Sequence, residues 1–404
     1  MSVNDIELPP ASGAWREGDD PGRRRFLDLP APLKLAAGGE LPGVRLAYET
    51  WGELAPDGSN AVLVLHALTG DAHLEGPAGP GHPTAGWWPG LIEPGGPLDP
   101  ARWFVVAPNA VGGCQGSTGP ASRAPDGRTW GSRFPRVTVR DTVVAEQYLA
   151  DALGIDAFAC VIGGSMGSMR SLEWAATEPD RVRRLFLLAG PAASTADQIG
   201  WASPQIQAIT GDPHWHGGDY HDTPEGPWRG LGVARRIAHL SYRSGYELAT
   251  RFGRDPQPGE DPLDGGRYAV ESYLDHHADK LVHRFDAASY VRLTQAMNHH
   301  DVGRDRGGVT AALLRVSART YVAGVTSDRL YPLADQQELA DGIPRADPLK
   351  VIDSPYGHDG FLVETRRWPG CSASCWTRRS EPAQAGVCES ASAPPSIGYT
   401  PPVM

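Results

Sequence analysis

Positive charge is in short supply in this chain. Its 404 residues include 37 Lys and Arg against 48 Asp and Glu, a formal net charge of −11. That balance argues against a general nucleic-acid or anionic-membrane partner, although a pocket can be locally basic on an acidic protein. Long hydrophobic runs are missing too: the longest, such as residues 61–65 and 185–189, are far too short to span a bilayer. The opening Met1-Ser2-Val3-Asn4-Asp5-Ile6-Glu7 has neither a basic nor an apolar segment, so no secretory signal is expected. Cysteine is scarce, and the five present are spread over the chain. An odd, scattered set suits a reduced compartment better than a disulfide framework, which makes the cytoplasm the expected location. No His-Glu-x-x-His or Cys-x-x-Cys spacing occurs. The adjacent pairs His276-His277 and His299-His300, and His214-x-His216, do not easily converge on one ion, so no metal site is expected.

What is present is a repeated alternation of short apolar runs and helical patterns. Residues 44–50 alternate like a half-buried strand. After the turn signal Pro56-Asp57-Gly58-Ser59-Asn60, residues 61–65 read as a fully buried one. Buried strands are also predicted at 103–107, 157–162, 185–189, 320–324 and 349–353. Helices are predicted at 138–153, from the elbow at 163–167 to Thr177, and at about 333–340. Thr138 and Asp141 have the spacing of a capping box, with Asp replacing the usual Glu or Gln, and Gly154 suits the C-terminal cap. Strand and helix in alternation imply an α/β fold with a mostly parallel sheet.

Residues 191–310 break this alternation and read as a helical lid inserted between two parts of the core, 31–190 and 311–365. Residues 1–30, rich in Pro, Gly, Asp and Arg, read as a poorly ordered leader. After Glu364 a sheet of this kind should finish with an amphipathic helix. Residues 366–404 run instead through Ser, Ala, Pro and Arg without periodicity and hold three of the cysteines. Disorder is expected there, and the abrupt change suggests a shifted reading frame, which resequencing the DNA from Val363 onward would settle.

The chemistry is carried by Gly163-x-Ser165-x-Gly167, lying between a predicted buried strand and a helix. In that context the motif is a nucleophile elbow: a tight, strained turn lifts a serine hydroxyl above the sheet, beside a helix N-terminus. A serine needs a base and an acid to orient it, and this fold orders them Ser, acid, His along the chain. Asp328 and His358 each follow a predicted strand at its C-terminal end, where open α/β sheets place their sites. His358 is the expected base and Asp328 its orienting acid, with an oxyanion hole from the N–H groups of Met166 and of the loop around Leu68.

Five stretches then resemble the homoserine O-acetyltransferases, members of the α/β-hydrolase fold. They are His66-Ala67-Leu68-Thr69-Gly70, Gly112-Gly113-Cys114-Gln115-Gly116-Ser117-Thr118-Gly119-Pro120, the elbow itself, His299-His300-Asp301-Val302-Gly303-Arg304 and His358-Asp359-Gly360-Phe361-Leu362. The resemblance covers roughly residues 30 to 364. It implies Ser165, Asp328 and His358 as the triad, Arg235 on the homoserine carboxylate and Asp359 on its amino group. It further implies acetyl-CoA and L-homoserine as substrates, a ping-pong acyl-enzyme reaction in methionine biosynthesis, no metal or tightly bound cofactor, and a cytoplasmic homodimer. Ser168 and Arg170 depart from the family's more frequent residues. The competing readings are a succinyl donor or serine acceptor, a plain serine esterase, and an inactive relic with a disrupted C-terminus.

Overall fold

A computed structural model describes residues 8–364. Ten strands form: β1 Arg25–Asp28, β2 Leu33–Lys34, β3 Glu40–Leu41, β4 Arg45–Trp51, β5 Ala61–Leu65, β6 Phe104–Pro108, β7 Cys160–Gly164, β8 Arg184–Leu188, β9 Arg319–Val325 and β10 Lys350–Ile352. Strands β2 and β3 make a separate small ribbon, and the other eight join in the order β1-β4-β6-β5-β7-β8-β9-β10. From β6 to β10 every neighbouring pair is parallel, while β4 and β1 run antiparallel at one edge.

The two-residue period of a strand divides the sheet's side chains between two cores. Leu63, Leu65, Val161, Leu185 and Leu187 face one of them. There they meet Val143 and Leu149 of α1 (Val139–Ala152) and Leu172 and Trp174 of α2 (Met166–Thr177). Val62, Val64, Ile162, Phe186 and Leu188 face the other. That face is covered largely by the irregular 66–103 connection, through Leu74, Trp88, Leu91 and Leu98, together with Phe361 of α10 (Gly360–Val363). Burial on both faces is why these strands read as unbroken apolar runs rather than alternating ones.

Local signals set several boundaries. The Thr138 N–H donates to Asp141 Oδ2 at 2.7 Å and the Asp141 N–H to Thr138 Oγ1 at 3.2 Å, completing the capping box. Strand β7 begins later than the 157–162 run and continues through Gly163 and Gly164, because the glycines that shape the elbow still pair with β8.

Residues 191–310 contain helices α3 (Ala196–Thr210), α4 (Trp228–Tyr242), α5 (Gly245–Phe252), α6 (Ala269–Val282), α7 (Ala287–Asn298) and the start of α8 (Val309–Leu313). Helices α3, α4, α6 and α7 share an apolar cluster that includes Ile209, Leu231, Leu281, Phe285 and Tyr290, and this cluster reaches Leu68 and Met166 in the core. Helix α9 (Leu333–Gly342) returns the chain to the sheet.

The reading of residues 1–30 as a poorly ordered leader needs correction for residues 8–30, the part that is described. Strand β1 pairs with the free edge of β4, Ser12 Oγ donates to the buried Asp286 at 2.8 Å, and the Trp15 N–H donates to the Cys114 carbonyl at 2.9 Å. Composition misled because the segment's partners are long-range groups, backbone and side chain, rather than its own neighbours. The expectations for residues 366–404, including Cys371 and Cys375, lie outside the described residues, as do those for residues 1–7.

Candidate active site

The strand-to-helix turn from β7 into α2 places Ser165 at φ 57°, ψ −124°, a strained conformation for a residue with a side chain. Its surroundings leave no alternative. A Cβ on Gly167 would lie 2.0 Å from the Leu65 carbonyl oxygen, and one on Gly163 would lie 2.3 Å from the Gly167 backbone. The Ser165 N–H donates to the Leu188 carbonyl at 2.9 Å, tying the turn to the sheet. The hydroxyl therefore stands at the N-terminus of α2, where the helix dipole favours developing negative charge.

Asp328 follows β9 and His358 follows β10. The structure brings them into contact across thirty residues of sequence, with His358 Nδ1 donating to Asp328 Oδ2 at 2.7 Å. The other carboxylate oxygen, Oδ1, accepts the N–H groups of Leu330 and Tyr331, each at 2.9 Å, which fixes the acid's orientation. Burial disfavours an imidazolium at His358, but the Asp328 carboxylate outweighs it and raises the pKa above the ordinary histidine value. With its proton on Nδ1, the ring presents Nε2 as an acceptor. Ser165 and His358 line one cavity of about 360 Å³.

Leu68 lines the same cavity, and Met166 contributes the first N–H of α2 beside the serine. The loop carrying Leu68 is held from several sides. His66 Nδ1 donates to the Ala67 carbonyl at 2.7 Å, its Nε2 accepts the Ala110 N–H at 3.0 Å, and Arg284 donates to the Thr69 carbonyl at 2.5 Å. Burial drives the His66 pKa well below the usual value, so the ring stays neutral in this role. Beneath it lies Arg170, noted as a departure in the sequence. It is fully buried, pairs with the buried Glu146 and donates to the His66 carbonyl at 3.4 Å. Trp174 donates to the second Glu146 oxygen at 2.7 Å.

Arg235 projects from α4 into the cavity. It touches Thr69 Oγ1 at 3.4 Å and lies 5.8 Å from the Tyr242 ring, and no carboxylate pairs with it among the described residues. Asp359 lines the cavity next to His358 and meets Arg243 at 3.3 Å. Burial raises its pKa, a tendency that Arg243 and His358 oppose. The sequence reading missed Arg243, Lys280, Arg284, His239 and Tyr242, which also line the cavity. No motif marks them, because helical spacing turns them inward only once α4 and α6 pack.

Other candidate groups lie elsewhere. Cys114 and Cys160 are buried, and burial pushes both thiols upward, so neither is a nucleophile. Glu49, His73 and His82 bring potential metal-binding atoms within 4.8 Å of one another. However, the two rings stack at 3.8 Å, so their in-plane lone pairs run side by side instead of converging. The backbone N–H of Arg23 already donates to His82 Nε2 at 3.0 Å. Of the discounted histidine pairs, His277 lines the cavity that holds Ser165 and His300 is buried. No helix among the described residues is long and apolar enough to cross a membrane.

Residues 60–365 match the family model described as the alpha/beta hydrolase fold. A homoserine O-acetyltransferase from Thermobifida fusca is 70% identical over 90% of this chain and 96% of its own length. One from Clavibacter michiganensis subsp. michiganensis is 59% identical over 89% of this chain and 94% of its own. Among solved structures, homoserine O-acetyltransferase from Bacillus anthracis superposes with a TM-score of 0.78 at 25% identity, covering 88% of this chain and 98% of that one. An acetylester hydrolase from Corynebacterium glutamicum superposes with a TM-score of 0.70 at 29% identity, covering 85% and 91%.

Proposed function

The chain belongs to the homoserine O-acetyltransferases within the α/β-hydrolase fold, and from that premise we propose how its own residues move the acetyl group to homoserine in methionine biosynthesis. The donor is acetyl-CoA. His358 Nε2 takes the proton of Ser165 as the hydroxyl oxygen attacks the thioester carbonyl. The oxyanion is held by the N–H groups of Met166 and Leu68. When the carbon–sulfur bond breaks, the leaving thiolate receives the proton from His358, and the acetyl group stays on Ser165 as an ester. L-homoserine then enters with its carboxylate on Arg235 and its amino group on Asp359. His358 takes the proton of its hydroxyl, the acetyl group passes to that oxygen, and Ser165 is regenerated. Throughout, Asp328 holds the imidazole in the required tautomer and stabilises its cationic form.

The observation that supports this reading is one cavity lined by Ser165 and by His358, which Asp328 holds, together with the Arg235 guanidinium and the Asp359 carboxylate. An esterase needs only the triad. A zwitterionic amino-acid acceptor needs a cation and an anion held apart as well. The likeness to an acetylester hydrolase favours hydrolysis as the second reading. The test follows thiol release from acetyl-CoA with and without L-homoserine, L-serine or succinyl-CoA in place of the respective partner. Strict dependence on L-homoserine and acetyl-CoA supports transfer, and release indifferent to any amino acid supports hydrolysis. Arg235→Ala should weaken acceptor use while sparing acylation, and equal loss of both would contradict its role. A cytoplasmic homodimer is the proposed form of the enzyme, checked by light scattering and fractionation.

A further inference from the structure

Two side chains one turn apart on α4 hold polar atoms in the cavity wall that find no hydrogen-bond partner among the described residues. His239 is only 3% exposed, and both of its ring nitrogens are in this position. So is the buried Nε of Arg235. Residues four apart share a helix face, so both side chains reach the same wall, and both line the cavity that holds Ser165 and His358. The imidazole is fixed by ring packing: its centroid lies 4.0 Å from that of His277 and 5.9 Å from those of Tyr242 and Tyr273. A buried imidazole with both nitrogens unsatisfied is costly unless something entering the cavity satisfies it.

We propose that His239 is a second donor to the acceptor's carboxylate, acting beside Arg235. Arg235 supplies the charge and one face of the contact, and His239 supplies a neutral N–H one helical turn away, so the pair selects acceptors that carry an α-carboxylate. Burial, reinforced by Arg235, His277 and Arg243, drives the His239 pKa far below the ordinary value. The ring therefore contributes a hydrogen bond without a second positive charge. This inference rests on the acetyltransferase reading.

The test compares the wild-type enzyme with His239→Leu and His239→Gln. Three quantities are measured: the burst of CoA released from acetyl-CoA without acceptor, the KM for L-homoserine, and the KM for 3-aminopropan-1-ol, which is homoserine without its carboxylate. His239→Leu should raise the KM for L-homoserine about tenfold with the burst unchanged. His239→Gln, which keeps a donor, should recover most of that loss. With the amino alcohol, wild type and His239→Leu should agree within about twofold. An unchanged KM in His239→Leu, an equal penalty on the amino alcohol, or a loss of the burst in both variants would overturn the proposal. A wild-type enzyme with no burst would instead count against the acetyl-enzyme reading, while the KM comparison would still decide the role of His239.

Discussion

Replacing Asp328 by asparagine isolates what the buried acid does. One of its oxygens accepts two backbone N–H groups at 2.9 Å, and the other faces His358 Nδ1 at 2.7 Å. Asparagine has the same shape. Its carbonyl oxygen keeps the two backbone donors, which leaves the amide nitrogen facing the imidazole. An amide N–H can only donate, so it selects the tautomer with a bare Nδ1 and the proton on Nε2. That ring cannot take a proton from Ser165. The same change in a serine protease triad lowers turnover by about 10⁴-fold, and a similar loss, about 5 kcal/mol of barrier, is expected here. The carboxylate also raises the His358 pKa, so its removal should move the acidic limb of the rate profile to lower pH. Stopped-flow thiol release across pH, with thermal unfolding as a control for the fold, measures both effects. A loss below tenfold in a folded variant, or an acidic limb that does not move, would refute the reasoning.

Other consequences follow from the same contacts. Glu146→Leu strands the buried Arg170 guanidinium and should cost about 3–5 kcal/mol in chemical denaturation, whereas adding Arg170→Met should recover most of it; an additive double variant would show that the pair is not coupled. Gly167→Ala sets a methyl group 2.0 Å from the Leu65 carbonyl oxygen, and should lower turnover at least 100-fold by displacing the elbow. Normal kinetics would show that the turn can relax. Burial, with Arg24 and His73 nearby, lowers the His82 pKa from the ordinary histidine value to about 4. The unfolded chain therefore takes up a proton that the folded one refuses, and stability should fall as pH drops through about 6.5 towards 4, by on the order of 3 kcal/mol. His82→Gln should flatten that slope, and an unchanged slope would assign it to other groups.

The legible parts of this molecule were those whose cause is local. Residues 61–65 are a strand because five consecutive apolar residues are buried on both faces. Thr138 and Asp141 cap α1 because their side chains reach each other's backbone. Ser165, Asp328 and His358 stood out because each follows a strand end, in the chain order this fold uses. What stayed hidden depends on distant packing. The N-terminal segment is ordered by the free edge of β4 and by Asp286, neither of which its composition reveals. The second face of the sheet is covered by an irregular connection, whose Trp88 and Leu91 carry no helical period. Arg243, His239 and Lys280 turn towards the cavity only because α4 and α6 pack over it. Arg170 was noted as a departure, and its partner Glu146 and its contact with the His66 carbonyl emerged only from the structure.

In the proposed reaction the acetyl group resides on Ser165 between donor and acceptor. Rapid quenching after mixing with acetyl-CoA alone, followed by mass analysis of the peptide containing Ser165, tests it directly. An acetylated Ser165 should accumulate without acceptor and disappear when L-homoserine is added. Full transfer with no acetyl group found on that peptide, or with the group on another residue, would contradict it.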